Sequence, residues 1–294
     1  MPRFGYVSLV GRPNAGKSTL MNRLVGTKIA IVSDKPQTTR NRILGVRTYD
    51  GRGQVVYLDT PGIHRPQHRM NVRMLDAARD AMRDVDVIGL VMDVTEKTGR
   101  GDMFAVDMTK RADRPVVLIL NKVDLVARPK LLPMIDAWNK GFGFTEIVPV
   151  SAETGENVDR LEQAFLDHLP EGEPQYPGDY LTDKPERFFV AELVREQVLR
   201  HTRNELPYTT AVVVDKFEEP DESGLMRLYC SILVERESQK PIVVGRGGDM
   251  VKRIGTGARL ELERFFDTRV YLDLRVKVQG DWREDERVLD ELGQ

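Results

Sequence analysis

Cysteine is almost missing from this chain: Cys230 is the single one in 294 residues. No intrachain disulfide can form and no cysteine-based metal site can be built, which fits a reducing, cytoplasmic setting. Cys230 falls in the alternating apolar run LYCSILV and reads as a small core residue, not a nucleophile. Long hydrophobic runs are missing as well. The longest, VIGLVM (87–92) and VVLIL (116–120), are strand-sized and far short of a membrane-spanning helix. The opening residues, MPRFGYVSLVGRP, turn polar too soon for a signal peptide. Nor is there a large charge imbalance, since 44 Lys+Arg face 46 Asp+Glu for a net −2. Any nucleic acid must therefore be met by a local patch rather than a global field. Among the four histidines, His64 and His68 have the spacing of a zinc pair. Arg65, Pro66 and Arg69 surround them without a third ligand, so a solvated loop is expected and no protein-built metal site.

What is present divides in two. Residues 1–170 alternate short β-rich runs with amphipathic stretches: FGYVSLV, RILGVRTY, QVVYLD, VDVIGLVMDV, RPVVLILN and TEIVPV. DGRG (50–53) between the second and third marks a hairpin. Helical patterns near 71–84, 101–112, 129–139 and 156–169 supply crossovers, so a mostly parallel α/β sheet with helices on both faces is expected. LPEGEPQYPGDYLTDKPE carries four prolines in eighteen residues, and 171–185 reads as a linker. Beyond it, residues 186–280 read as an α+β module. A helix from Glu186 to about Asn204 precedes TTAVVVDKF, LMRLYCSILVER and KPIVV. GRGG (245–248) opens two helical segments as far as Phe266, and RVYLDLRVKV closes the module. Residues 281–294 read as a short acidic helix.

Gly11-x4-Gly16-Lys17-Ser18 follows a strand and opens a helix, the setting of a phosphate-binding loop. Its glycines let backbone N–H groups converge on phosphate, with the helix dipole in support. Arg12, Pro13, Asn14, Ala15 and Thr19 complete the loop. Lys17 is expected to bridge the β- and γ-phosphates and Ser18 to ligate Mg²⁺. This loop does not separate ATP from GTP. Asn121-Lys122-Val123-Asp124 does, because a carboxylate at Asp124 accepts the paired N–H donors of guanine and adenine offers none. Asn121 can tie back to the phosphate loop, Lys122 can lie over the purine, and Ser151-Ala152 can offer N–H to the guanine O6. Asp59-Thr60-Pro61-Gly62 ends a strand. Asp59 is expected to hold Mg²⁺ through water and the Gly62 N–H to sense the γ-phosphate. In Pro36-Gln37-Thr38-Thr39-Arg40, one threonine should complete the metal shell when triphosphate is bound; Thr39 is favoured, with Thr38 close behind.

Taken in order, GRPNAGKST, QTTR, DTPG, NKVD and SAETG resemble the translation-factor-class GTPases, and within them the Era branch. Ile63 follows DTPG where Ras-like enzymes place a water-orienting glutamine, so slow intrinsic hydrolysis is expected. In relatives with this pattern the residue matching Asn14 helps coordinate K⁺. The resemblance thus implies that Asn14 and K⁺ supply positive charge in place of an arginine finger.

In the second module, Val244-Gly245-Arg246-Gly247-Gly248 is a G-x-x-G loop. In an α–β–β–α–α–β order it resembles a KH domain of the bacterial arrangement, which clamps four nucleotides of single-stranded RNA. Lys240, Arg246, Lys252, Arg253 and Arg259 face only Asp249 between 240 and 260. Gly245, Arg246, Gly247, Gly248, Lys252 and Arg253 are the expected RNA contacts, and an aliphatic groove near Ile242, Val251 and Ile254 is expected to take bases. DNA is not expected. The pairing of both modules implies a cytoplasmic, monomeric Era-type GTPase. Its partners would be the 3′ end of 16S rRNA and the small (30S) ribosomal subunit, in whose assembly the family acts. The alternative is a regulatory GTPase that associates peripherally with the membrane and uses the second module for docking.

Overall fold

The computed structural model describes residues 1–294 except 36–37, 64–68, 203–205, 287–288, 290–291 and 293–294. The chain forms two compact units, one built mainly from residues 1–30 and 39–183, the other mainly from 184–294 together with 31–38.

In the first unit a six-stranded sheet has the order β2-β3-β1-β4-β5-β6. Its strands are β1 (Arg3–Gly11), β2 (Ile43–Tyr49), β3 (Gly53–Asp59), β4 (Val87–Asp93), β5 (Val116–Asn121) and β6 (Glu146–Val150). Only β2 runs antiparallel, paired with β3. Val7, Leu9 and Val10 of β1 and every residue of β3 are buried, as expected of strands covered on both faces. Helices α1 (Lys17–Val25), α2 (Arg69–Arg83), α3 (Arg100–Lys110), α4 (Leu131–Phe142) and α5 (Val158–His168) supply the connections. The neighbours of β1, β3 and β4, receive the chain from opposite sides. The carboxyl end of β1 is therefore the switch point where such sheets bind ligands.

Of residues 171–185, expected to be a linker, 171–183 belong to the first unit. Glu171 bridges to Arg3, and the Val46 amide donates to the Leu181 carbonyl at 2.8 Å. The fully buried Gln54 side chain accepts from the Gln175 and Tyr176 amides and donates to the Tyr176 carbonyl at 2.9 Å. Proline-rich composition ruled out helix and strand here; it did not rule out ordering by such side-chain anchors.

The second unit holds α6 (Glu186–His201), α7 (Leu206–Thr209), β7 (Thr210–Glu218), β8 (Leu225–Val234), α8 (Lys240–Val244), α9 (Asp249–Phe266) and β9 (Arg269–Val278). The sheet order is β7-β8-β9, with β7/β8 antiparallel and β8/β9 parallel. Valines 190, 194 and 198 of α6 pack with Ile254, Ala258 and Leu262 of α9 and with Leu228, Cys230 and Ile232 of β8. KPIVV is the short helix α8, started at Pro241 and stopped at Gly245. After GRGG one helix runs unbroken where two segments were expected. Gly257 is kept small by contact, since a Cβ there would lie 2.5 Å from Gln197 Oε1 on α6. The end of the chain was expected to be a short acidic helix. It begins as turn over 281–284 and is helical at Glu286 and Leu289, with Trp282 fully buried and its indole N–H donating to the Thr209 carbonyl at 3.0 Å. Arg283 forks onto Glu235 at 2.5 and 2.8 Å.

Candidate nucleotide site and RNA-facing loop

The phosphate loop leaves β1 at Gly11, whose φ of +151° sets its α-carbon against β4; a Cβ would lie 2.3 Å from the Val91 carbonyl. Asn14 and Gly16 are also left-handed, at φ 64° and 94°. Glycine at 16 has a second cause, because a Cβ would lie 2.2 Å from Asn121 Nδ2. Arg12, Pro13 and Thr19 are half-buried, Ala15 is buried and Asn14 is exposed. Lys17 is buried, its ammonium donating to the Gly11 and Arg12 carbonyls at 3.3 and 2.9 Å. Burial pushes its pKa down to about 8, with the Asp59 carboxylate opposing the fall.

Three oxygens expected around Mg²⁺ converge. Ser18 Oγ donates to Asp59 Oδ2 at 2.7 Å and lies 2.7 Å from Thr39 Oγ1, which in turn lies 3.3 Å from Asp59 Oδ2. Burial holds the Asp59 carboxyl above its usual range, against the pull of Lys17, Ser18 and Thr39. Its other oxygen, Oδ1, is buried and meets no hydrogen-bond partner among the described residues. An oxygen-only set with an orphaned carboxylate oxygen fits a hard divalent cation. Thr38 turns elsewhere, its hydroxyl donating to the Lys35 carbonyl at 2.6 Å. Pro36 and Gln37 lie outside the described residues, as do His64 and His68.

Thr60 is fully buried, its hydroxyl donating to the Leu9 carbonyl at 2.8 Å. Pro61 is buried, and Gly62 packs so closely on Pro13 that a Cβ would lie 2.8 Å away. Ile63 is buried, its amide on the Gly11 carbonyl at 3.0 Å. It orients no water. Arg40 is buried too.

At the base-reading end, Asn121 ends β5 and joins three segments. Nδ2 donates to the Ala15 carbonyl at 2.8 Å and Oδ1 accepts the Ala152 amide at 3.0 Å. Lys122 is left-handed and its ammonium meets Asp93 Oδ2 at 2.5 Å. Val123 is buried, whereas Asp124 is exposed in a single 3₁₀ turn, its carboxylate open to a base. Ser151 is buried and its hydroxyl accepts the Thr154 amide at 3.0 Å, shaping the turn that presents Ala152.

In the second unit, Gly245, Gly247 and Gly248 all have positive φ, at 77°, 61° and 82°. Nothing lies within 4 Å of a Cβ built at Gly247 or Gly248, so a ligand backbone can approach both. Arg246, Lys252 and Arg253 are exposed around this loop and the first turns of α9. Arg259 is different: its guanidinium is held by Glu263 at 2.7 and 2.8 Å and is no part of a free basic patch. Ile254 is fully buried in the core, so only exposed Ile242 and half-buried Val251 remain of the expected groove.

A family model for 50S ribosome-binding GTPases matches residues 6–122 and one for KH domains matches 205–283. The chain is 48% identical over 99% of its length to the GTPase Era of Geobacter metallireducens, covering 97% of that protein. It is 46% identical over 98% of its length to that of Staphylococcus haemolyticus, covering 96%. The chain belongs to the GTPase Era family. It is accordingly a GTPase with a C-terminal KH domain. Two solved structures superpose over nearly the whole chain at 40% identity. An Aquifex aeolicus Era variant bound to GDP and aluminium fluoride gives a TM-score of 0.94 and covers 99% of each chain. Era in complex with MgGDPNP and nucleotides 1506–1542 of 16S rRNA gives 0.96, covering 100% of this chain and 99% of its own.

Sequence reasoning missed two supports of this Era-family site. Arg12 turns away from the loop interior to Asp102 at 3.0 Å and to Glu96, while Asp102 also caps α3 through the Gly99 amide at 2.8 Å. Asp93 restrains Lys122; against the burial that would raise it, Lys122 and Thr95 hold its carboxyl below the usual range. The parallel register of Asp93 with Asn121 carried that pairing. The pattern Gly99-x-x-Asp102 before an apolar run was the available signal for the cap.

Proposed function

We propose that this chain is a GTP-operated switch that grips the 3′ end of 16S rRNA and assists assembly of the small ribosomal subunit. The observation that carries the reading is likeness over the full chain to an Era that holds MgGDPNP and a 16S rRNA segment together. The family model's description names the 50S particle; the RNA in that relative belongs to the small subunit, and the proposal follows the RNA.

The geometry supports a role for each residue. Loop amides from Asn14 to Ser18 would meet the phosphates, and Lys17 would exchange the Gly11 and Arg12 carbonyls for the β- and γ-oxygens. A triphosphate would favour the ammonium form against the burial that disfavours it. Ser18, Thr39 and Asp59 would hold Mg²⁺, which supplies charge neutralisation between the β- and γ-phosphates when bound. The Gly62 amide senses the γ-phosphate, and Asp124 with Ala152 reads guanine. With the aliphatic Ile63 buried where a water-orienting glutamine would stand, hydrolysis would be slow. Asn14, left-handed and exposed on the loop, would help to coordinate K⁺, which would add positive charge there. Equal turnover in saturating KCl and NaCl would remove that role. Arg246, Lys252, Arg253 and the open Gly247–Gly248 backbone would take RNA phosphates. The setting is cytoplasmic. Crosslinking of bound cellular RNA tests the whole: reads should concentrate at the 3′ end of 16S rRNA, and a map without enrichment there would overturn it.

A further inference from the structure

Residues 31–38, which lead to Thr39, belong to the second unit. Ile31 is buried in that unit's core. Two consecutive residues of α6 hold this stretch near its ends. Glu196 Oε1 accepts the Val32 amide at 3.1 Å, and Arg195 Nη2 donates to the Thr38 carbonyl. Both side chains are buried, and neither enters the nucleotide or RNA readings above.

Arg195 is a costly residue to bury. Its Nε and Nη2 meet Glu192 at 2.7 and 2.8 Å, but Nη1 finds no acceptor among the described residues. For stability alone, an apolar pair of similar volume would serve as well or better. The contact that an apolar pair could not make is the one to Thr38.

The Thr38 carbonyl and the Thr39 amide share one planar peptide unit. A guanidinium that fixes the oxygen therefore orients the bond entering Thr39, leaving only the torsions of Thr39 to aim its hydroxyl. That hydroxyl sits among Ser18 and Asp59. We propose that Arg195, with Glu196 as a second anchor, is a positioning residue for GTP hydrolysis that delivers Thr39 to the metal. The inference rests on Thr39 being a metal ligand in the triphosphate state. The first helix of the unit that carries the KH domain then sets affinity for GTP but not for GDP, which does not need Thr39. By linkage, a triphosphate that draws Thr39 inward tightens the clasp on α6 by the same factor.

The test compares the full chain with R195M/E192Q, which removes both partners so that neither charge is left buried alone, and with T39A. GDP and GDPNP affinities are measured with Mg²⁺, and hydrogen exchange of residues 31–39 is followed without nucleotide. GDPNP affinity of R195M/E192Q should fall about ten-fold, the worth of one hydrogen bond to a charged group. GDP affinity should hold and exchange near Thr38–Thr39 should rise. R195K, which keeps a donor, should lose less, and it carries the same comparison if the double variant does not fold. Selective GDPNP loss in T39A with none in either Arg195 variant overturns the inference alone. So does equal loss of GDP and GDPNP. If T39A itself is not selective, the metal-ligand reading of Thr39 fails and takes the inference with it.

Discussion

At the scale of residues, the site is a set of side chains each with one chemical duty. Asp124 offers only acceptors, so exchanging it for asparagine presents a donor where guanine also has donors. D124N should lose GDP affinity by roughly a hundred-fold or more and gain xanthosine diphosphate, a swap read by calorimetry. Unchanged GDP affinity would remove its base-reading role. Cys230 makes the opposite kind of statement. Burial pushes its thiol up to about 12, the nearby Asp215 adding to the rise, so at pH 8 about one molecule in ten thousand carries the thiolate. Ellman's reagent should find almost no reactive thiol in the native protein and one after denaturation. Residues with fixed spacing were legible, because the phosphate loop and NKVD are short stretches whose chemistry needs those letters. The ion pairs of Arg12 with Asp102 and of Lys122 with Asp93 were not. They join strands and helices far apart in sequence, and only the sheet's order brings them together.

At the scale of elements, glycine and proline were read correctly as punctuation but with mixed success as to what they punctuate. GRGG was expected to open helices, and it does, yet it also closes α8. Gly255 and Gly257, which could have broken α9, instead sit inside it, where Gly257 lets it approach α6. The proline-rich stretch 171–185 reads as a linker because composition reports propensity, not tertiary anchors such as Gln54, which holds part of it. Gly245 gives the element-scale prediction. Its φ of 77° and the Met250 amide 2.6 Å from a would-be Cβ leave no room for a side chain. G245A should cost the second unit about 1–2 kcal/mol or more in chemical denaturation, and GDP affinity should stay unchanged. A neutral effect on unfolding would show that the loop does not need its left-handed entry.

At the scale of the whole molecule, two sites with different chemistry lie on two compact units. In the proposed reading, one would recognise a purine by paired hydrogen bonds, and the other would meet a sugar-phosphate chain with exposed cations and bare backbone. The order of modules was legible because each carries its own motif and periodicity. The assignment of residues 31–38 to the second unit was not, since nothing local in IVSDKPQT announces a partner more than 150 positions away. The most direct measurement of the account is binding of a labelled single strand from the 3′ end of 16S rRNA, followed by anisotropy beside a GDP titration of the same samples. Wild-type chain should bind the strand, and R246E should lose most of that affinity while GDP affinity stays the same. A strand held equally well by R246E, or a variant that loses GDP along with RNA, would contradict it.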